Sequence, residues 1–140
     1  MKASQAASGP CSTGVCQPQR TQGLRAPAPQ GSHALVALTG PGIFVAAHIT
    51  KQGGASGLTF VSLDLDGRNV ANLSFAAAAN WGLTASNPYG IVLVNGASGI
   101  KTVTIGWPTP LRFERELKLS VTVSEASVVQ IVANVIHGAV

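Results

Sequence analysis

After Ser32 the chain alternates short runs rich in Val, Ile, Leu, Thr and Phe with clusters of Gly, Pro, Asn, Asp and Ser. Runs of this length, bounded by turn chemistry, read as β-strands. The pattern predicts strands at His33–Leu38, Ile43–Thr50, Leu58–Leu65, Asn69–Phe75, Gly90–Val94, Ile100–Ile105, Leu111–Val123 and Ser127–His137. The breaks are TGPG at 39–42, QGGASG at 52–57, Asp66-Gly67, NGASG at 95–99, GWPTP at 106–110 and the short segment 124–126. Asp-Gly between two apolar runs is a strong hairpin signal, because glycine tolerates the positive φ of a type I′ turn.

Leu111–Val123 is the clearest run. Leu111, Phe113, Leu117, Leu119, Val121 and Val123 fall on one face, interrupted by Arg115, while Arg112, Glu114, Glu116, Lys118, Ser120 and Thr122 fall on the other. Period 2 means one buried face and one wet face. The run is read as one strand, although a strand this long often bends or spans two neighbours and can split in two. Other runs are apolar on both faces: Ile43–Ile49, Ile91–Val94 and Val128–Ile136. In a two-sheet sandwich only one face of each sheet meets the core, so a second apolar face implies a cover, for which a subunit interface is the natural reading. The one helical candidate, near Ser74–Asn80, is too short to cover three strands.

The longest break within the domain is Ala76–Tyr89, expected as one helical turn followed by a loop anchored by Trp81 and Tyr89, with a turn at Asn87-Pro88. Packing of Trp81 under this loop is the preferred expectation, and its exposure as a sugar platform the alternative. Together the runs define an all-β fold: an antiparallel two-sheet β-sandwich of about eight strands, jelly-roll-like, with an immunoglobulin-like arrangement as the second choice. No inter-sheet cysteine pair supports the second.

Residues 1–32 differ in kind. They hold four of the 8 prolines, and their sizeable apolar side chains are only Met1, Val15 and Leu24. Such a segment buries too little apolar surface to offset the entropy of ordering it. The expectation is an extended Pro/Gly/Ser/Gln-rich arm over 1–32 and a β-sandwich domain over 33–140. The arm carries Lys2, Arg20 and Arg25 with no acid, whereas the domain is nearly neutral within a net charge of +4. Three charges without an aromatic residue are too few for nucleic acid, which is not an expected partner. Charged residues make up 10% of the chain, against about 25% in ordinary domains. That shortage again suggests a surface covered by copies or partners.

Cys11 and Cys16, both in the arm, read as a free pair, with a local disulfide as the alternative. Two cysteines do not make a structural zinc site. No run reaches the length of a membrane span, and the N-terminus lacks the apolar core of a signal peptide. A soluble chain made in the cytoplasm is expected. Of the three histidines, His48 on an apolar strand reads as a packed, hydrogen-bonded residue, and His33 and His137 as exposed strand-end residues. Asp64-Leu65-Asp66-Gly67 matches the opening of a calcium loop but lacks the later oxygen ligands and closing Glu. Glu114 and Glu116 share a face with Arg112 and Lys118, as in a solvated charge ladder. Neither a nucleophile motif nor a phosphate-binding loop occurs, so no cofactor, metal or enzymatic activity is expected.

A basic, Pro-rich N-terminal arm ahead of a small β-domain resembles the small jelly-roll virion proteins, in particular phage capsid decoration or cement proteins. That resemblance implies a non-enzymatic assembly protein in the virion, made in the host cytoplasm. It implies a homo-oligomer, a trimer by preference, and a neighbouring shell protein such as a major capsid protein. Its arm residues are Lys2, Cys11, Cys16, Arg20, Leu24 and Arg25; Trp81, Tyr89 and Trp107 form a candidate interface or ligand-facing loop. A carbohydrate-binding or adhesive sandwich, stacking sugars on those aromatics, is the alternative.

Overall fold

The Asp66-Gly67 dipeptide forms the hairpin its sequence predicts, with φ of 54° and 78° at the two residues, as a type I′ turn requires. The structure, a computed structural model, describes residues 15–140. Nine strands are present among these: β1 Cys16–Arg25, β2 Gly31–Thr39, β3 Gly42–Gly53, β4 Thr59–Leu65, β5 Arg68–Ser74, β6 Ile91–Asn95, β7 Ile100–Phe113, β8 Glu116–Val123 and β9 Val128–Ala139. One short helix, α1, spans Phe75–Asn80, and the Ser74 hydroxyl caps it by accepting the Ala77 N–H at 2.9 Å.

The strands nest around the Asp66-Gly67 turn. β4 pairs with β5, β3 with β7, β2 with β8 and β1 with β9, all antiparallel. These pairs are the two arms of one long hairpin, with α1 and β6 inserted into its returning arm. Rolled up, β9 also pairs with β3 and β8 with β4. The result is a five-stranded sheet, β1-β9-β3-β7-β6, facing a four-stranded sheet, β2-β8-β4-β5. Successive nested pairs alternate between the sheets, which is jelly-roll winding with β6 added at one edge.

The core lies between the sheets. Phe44, Phe113, Ile49, Leu63, Leu119 and Ile131 are all essentially inaccessible, and each such side chain contributes about 1.5–3 kcal/mol by leaving water. Phe75 and Ala78 bring α1 onto the end of this core.

Three expectations change. First, residues 16–25 are not a free arm but the edge strand β1, in register with β9 from Gln19↔His137 to Arg25↔Ile131. The domain therefore takes in residues expected to lie outside it, including Cys16, Arg20, Leu24 and Arg25. Gly23 is the one buried residue of β1. A Cβ there would sit 2.0 Å from the Leu35 carbonyl oxygen of β2, so glycine is what lets the edges of the two sheets close on each other. Cys16 is disulfide-bonded rather than free. Lys2 and Cys11 lie outside the described residues.

Second, Leu111–Val123 is two strands. β7 runs through GWPTP, which bulges out of the ladder: Phe44 faces Leu111, but Ala46 faces Gly106. The chain changes sheets at Glu114-Arg115. There the Asp66 carboxylate accepts the backbone N–H groups of Glu114, Arg115 and Glu116 at 2.9, 2.7 and 3.1 Å. These bonds hold its carboxyl at about 2, below the usual 3.8.

Third, the doubly apolar look of β3 comes partly from a bulge. Phe44 faces His137 and Ala46 faces Ile136, leaving Val45 as the extra residue. Gly42 and Phe44 point inward before it, and Ala47, Ile49 and Lys51 after it. A bulge switches faces in this way, so simple alternation misassigns one half of the strand.

Candidate functional site

The outward faces of the two sheets differ. On the four-stranded sheet the outward positions include Ser32, Ser62, Asn72, Lys118, Ser120 and Thr122, a mainly polar surface that also exposes Phe60 at 38%. On the five-stranded sheet they include Leu24 and Val94, 58% and 50% exposed, with the half-buried Val132 between them. Among the described residues the charged side chains at outward positions of these strands are Arg20 and Arg112, the latter ion-paired with Glu114 at the end of β7.

A groove of about 520 Å³ lies on this face. Its floor is made of small residues: Ala46 on β3 opposite Gly106 on β7, with Gly90 beyond. Ile136 and Val92 add apolar walls, and the 81–90 loop overhangs through Ser86 and Asn87. That loop is held by its own backbone. The Asn87 amide donates to the Ala85 and Ile91 carbonyls, and its oxygen accepts the Gly90 N–H. Leu93 N–H donates to the Leu83 carbonyl at 2.6 Å.

A chain of side-chain hydrogen bonds runs along the groove and fixes its own polarity. Arg20 Nη1 donates to Asn134 Oδ1 at 2.8 Å. An arginine only donates, so the Asn134 oxygen must face it and Nδ2 must face His48 Nε2, also at 2.8 Å. Nε2 therefore accepts, Nδ1 carries the proton, and Nδ1 donates to Thr50 Oγ1 at 3.0 Å. Thr50 in turn donates to Thr102 Oγ1 at 2.8 Å. His48 is thus hydrogen-bonded through both ring nitrogens and half-buried, as its sequence context predicts.

The aromatic residues divide. Trp81 and Tyr89 are 62% and 56% exposed, so Trp81 does not pack beneath the loop and neither side chain anchors it. Trp107 is half-buried; its indole N–H donates to the Tyr89 carbonyl at 2.8 Å, and its ring meets Phe44 at 6.0 Å. Arg20 reaches the groove, whereas Leu24 and Arg25 lie further along β1, both exposed.

Two polar clusters escaped the sequence reading. Glu125, in the β8–β9 turn, and Lys51 form a buried ion pair at 3.3 Å, with side chains 0% and 2% exposed. Glu125 also accepts from Thr59 Oγ1 at 2.5 Å and from the backbone N–H groups of Ser56 and Gly57 at 3.0 and 2.9 Å. Burial pushes its carboxyl up, but the Thr59, Ser56 and Gly57 bonds and the Lys51 charge outweigh it and hold it below the usual value. Lys51 Nζ donates to the Gly53 carbonyl and lies 5.2 Å from the Phe75 ring centroid. With its hydrogen-bonding capacity engaged, this pair pins the 53–57 loop to the core. The second cluster is His137, buried rather than exposed, with Nε2 2.8 Å from Thr21 Oγ1 on β1. Burial lowers its pKa.

Among the described residues no cluster of three metal-ligating side chains occurs, and no helix is long and apolar enough to cross a membrane. No protein-family model matches the chain, and no curated protein matches its sequence. The fold is an antiparallel β-sandwich with jelly-roll winding and a groove on the outer face of its five-stranded sheet.

Proposed function

We propose that this protein is a non-enzymatic structural assembly module that associates with copies of itself through the outer face of its five-stranded sheet. The observation that carries this reading is the composition of that face: exposed Leu24 and Val94 at its two edges, Val132 between them, and only Arg20 and Arg112 as outward charges along its described strands. The face is about 19 Å wide. Charge depletion with apolar exposure is the signature of a covered surface. The particular assembly is the one implied by the resemblance: a virion decoration or cement protein, trimeric, set against a shell protein. The jelly-roll winding supports it, as fold-level analogy. The arm available to strap neighbours is shorter than the sequence suggested, since β1 is built into the domain. Native mass spectrometry of the purified chain tests the reading. A defined oligomer, lost in a Leu24→Ser/Val94→Ser variant, supports it; a monomer throughout contradicts it.

A second reading, carbohydrate binding, draws on the exposure of Trp81 and Tyr89 on the loop that overhangs the groove. Glycan-array binding abolished by Trp81→Ala would replace the first reading.

A further inference from the structure

We propose that the groove on the outer face binds a small amphipathic carboxylate, its anionic group at Arg20 and a compact apolar body over Ala46 and Gly106. This goes beyond the assembly reading and does not depend on it. Leu24 lies about 13 Å along β1 from Arg20, so the apolar stripe and the groove are separable.

The size fits. A volume of about 520 Å³ lies within the ~300–1,000 Å³ of small-molecule sites. The chemistry of the walls then selects the ligand. Both hydrogen bonds made by the Arg20 side chain use Nη1, to Asn134 and to Gln22. Nη2 and Nε have no partner among the described residues. Asn134 spends its oxygen on Arg20 and one amide proton on His48, leaving one proton to donate. The His48 nitrogens and the Asn87 amide are engaged within the protein. What remains at the Arg20 end is a set of donors around one positive charge, with no acid in the lining. A ligand group that accepts and is negative matches this; a cation or a donor does not.

The floor explains the apolar half. Gly106 has no positive φ and no backbone crowding, and a Cβ there would meet Ala46 Cβ at 3.5 Å, an ordinary contact. Glycine is therefore not required by the fold at this position. Its effect is to leave open a trough bounded by Val92 and Ile136. An apolar group of a few carbons laid there would leave water while its carboxylate stays at the rim.

The test is an amide-shift NMR titration of the protein with sodium hexanoate, hexanamide and inorganic phosphate. Hexanoate should shift Ala46, Gly90, Val92 and Gly106 saturably. Hexanamide lacks the charge and phosphate lacks the apolar body, so each should bind at least about tenfold more weakly. Arg20→Gln should lose about tenfold or more of hexanoate affinity, and Arg25→Gln should not. Gly106→Val, tolerated in a strand, should abolish binding while shifts elsewhere stay native. Equal affinity for hexanoate and hexanamide, unchanged binding in Arg20→Gln, or absence of saturable shifts in the groove would overturn the proposal. Loss of self-association in the Leu24→Ser/Val94→Ser variant with hexanoate binding intact would separate this site from the assembly face.

Discussion

Asn134 Nδ2 lies 2.8 Å from His48 Nε2, and because Arg20 claims the Asn134 oxygen, the amide can only donate to the ring. The network therefore fits one form of the imidazole, neutral with its proton on Nδ1. Nitrogen NMR of the histidine ring should show that tautomer. Asn134→Asp replaces the donor with an acceptor, so a proton should then be found on Nε2, facing the new carboxylate. An unchanged tautomer in the variant would mean that the chain of bonds does not set it.

The close approach of Gly23 to Leu35 makes β1 sensitive to a single methyl group. Gly23→Ala should cost roughly 1–3 kcal/mol as overpacking displaces the edge strand. Urea denaturation would read the loss, and amide exchange should show it concentrated in β1. Gly106→Ala, on the same sheet but with room above it, should change stability little.

The Lys51–Glu125 pair predicts an asymmetry between single and double replacement. Glu125→Ala leaves Lys51 buried without its counter-charge and should cost about 3–5 kcal/mol. Lys51→Met with Glu125→Leu removes both charges and should recover most of that loss, although Thr59 and the Ser56 and Gly57 N–H groups lose their acceptor. Denaturation midpoints of the two variants against the parent decide it; a double variant as damaged as the single would show that the acceptor role, not the charge pair, dominates.

Stability should fall in two acid steps. His137 is held below its usual 6.5 by burial, so the unfolded chain takes up its proton first. The stability it contributes is complete above 6.5 and is lost as pH falls from there through the lower folded value. Asp66 is held at about 2 against 3.8, so its contribution is complete above 3.8 and lost as pH falls through about 2. Glu125, also depressed, acts in the same sense, below its usual value. His137→Gln should remove the upper step and Asp66→Asn should reduce the lower one in pH-dependent thermal unfolding.

Much of the sandwich was legible in the sequence because its strands obey local rules. The alternation in Leu117–Val123 named its buried face, Asp66-Gly67 named its turn, and the run near Ser74–Asn80 was the one helical candidate. β1 was not legible because CQPQRTQGLR buries only Gly23; backbone pairing with β9 and the approach to β2 hold it, and neither leaves an apolar pattern. The Val45 bulge was hidden because it changes register without changing composition, and GWPTP, read as a break, is instead carried within β7 as an irregularity of its pairing with β3. The groove assembles Arg20, His48, Gly106 and Asn134 from four strands far apart in the chain. Its one local hint was a histidine in an apolar run. Lys51 and Glu125 carry no local signal of their pairing, because only tertiary structure brings them within 3.3 Å.

The claim that the five-stranded sheet is an assembly face is tested most directly by methyl NMR across a dilution series. The account predicts concentration-dependent shifts at Leu24, Val94 and Val132, with Val61, Leu63 and Leu119 in the core unchanged. Spectra independent of concentration, or changes confined to the outer residues of the four-stranded sheet, would contradict it.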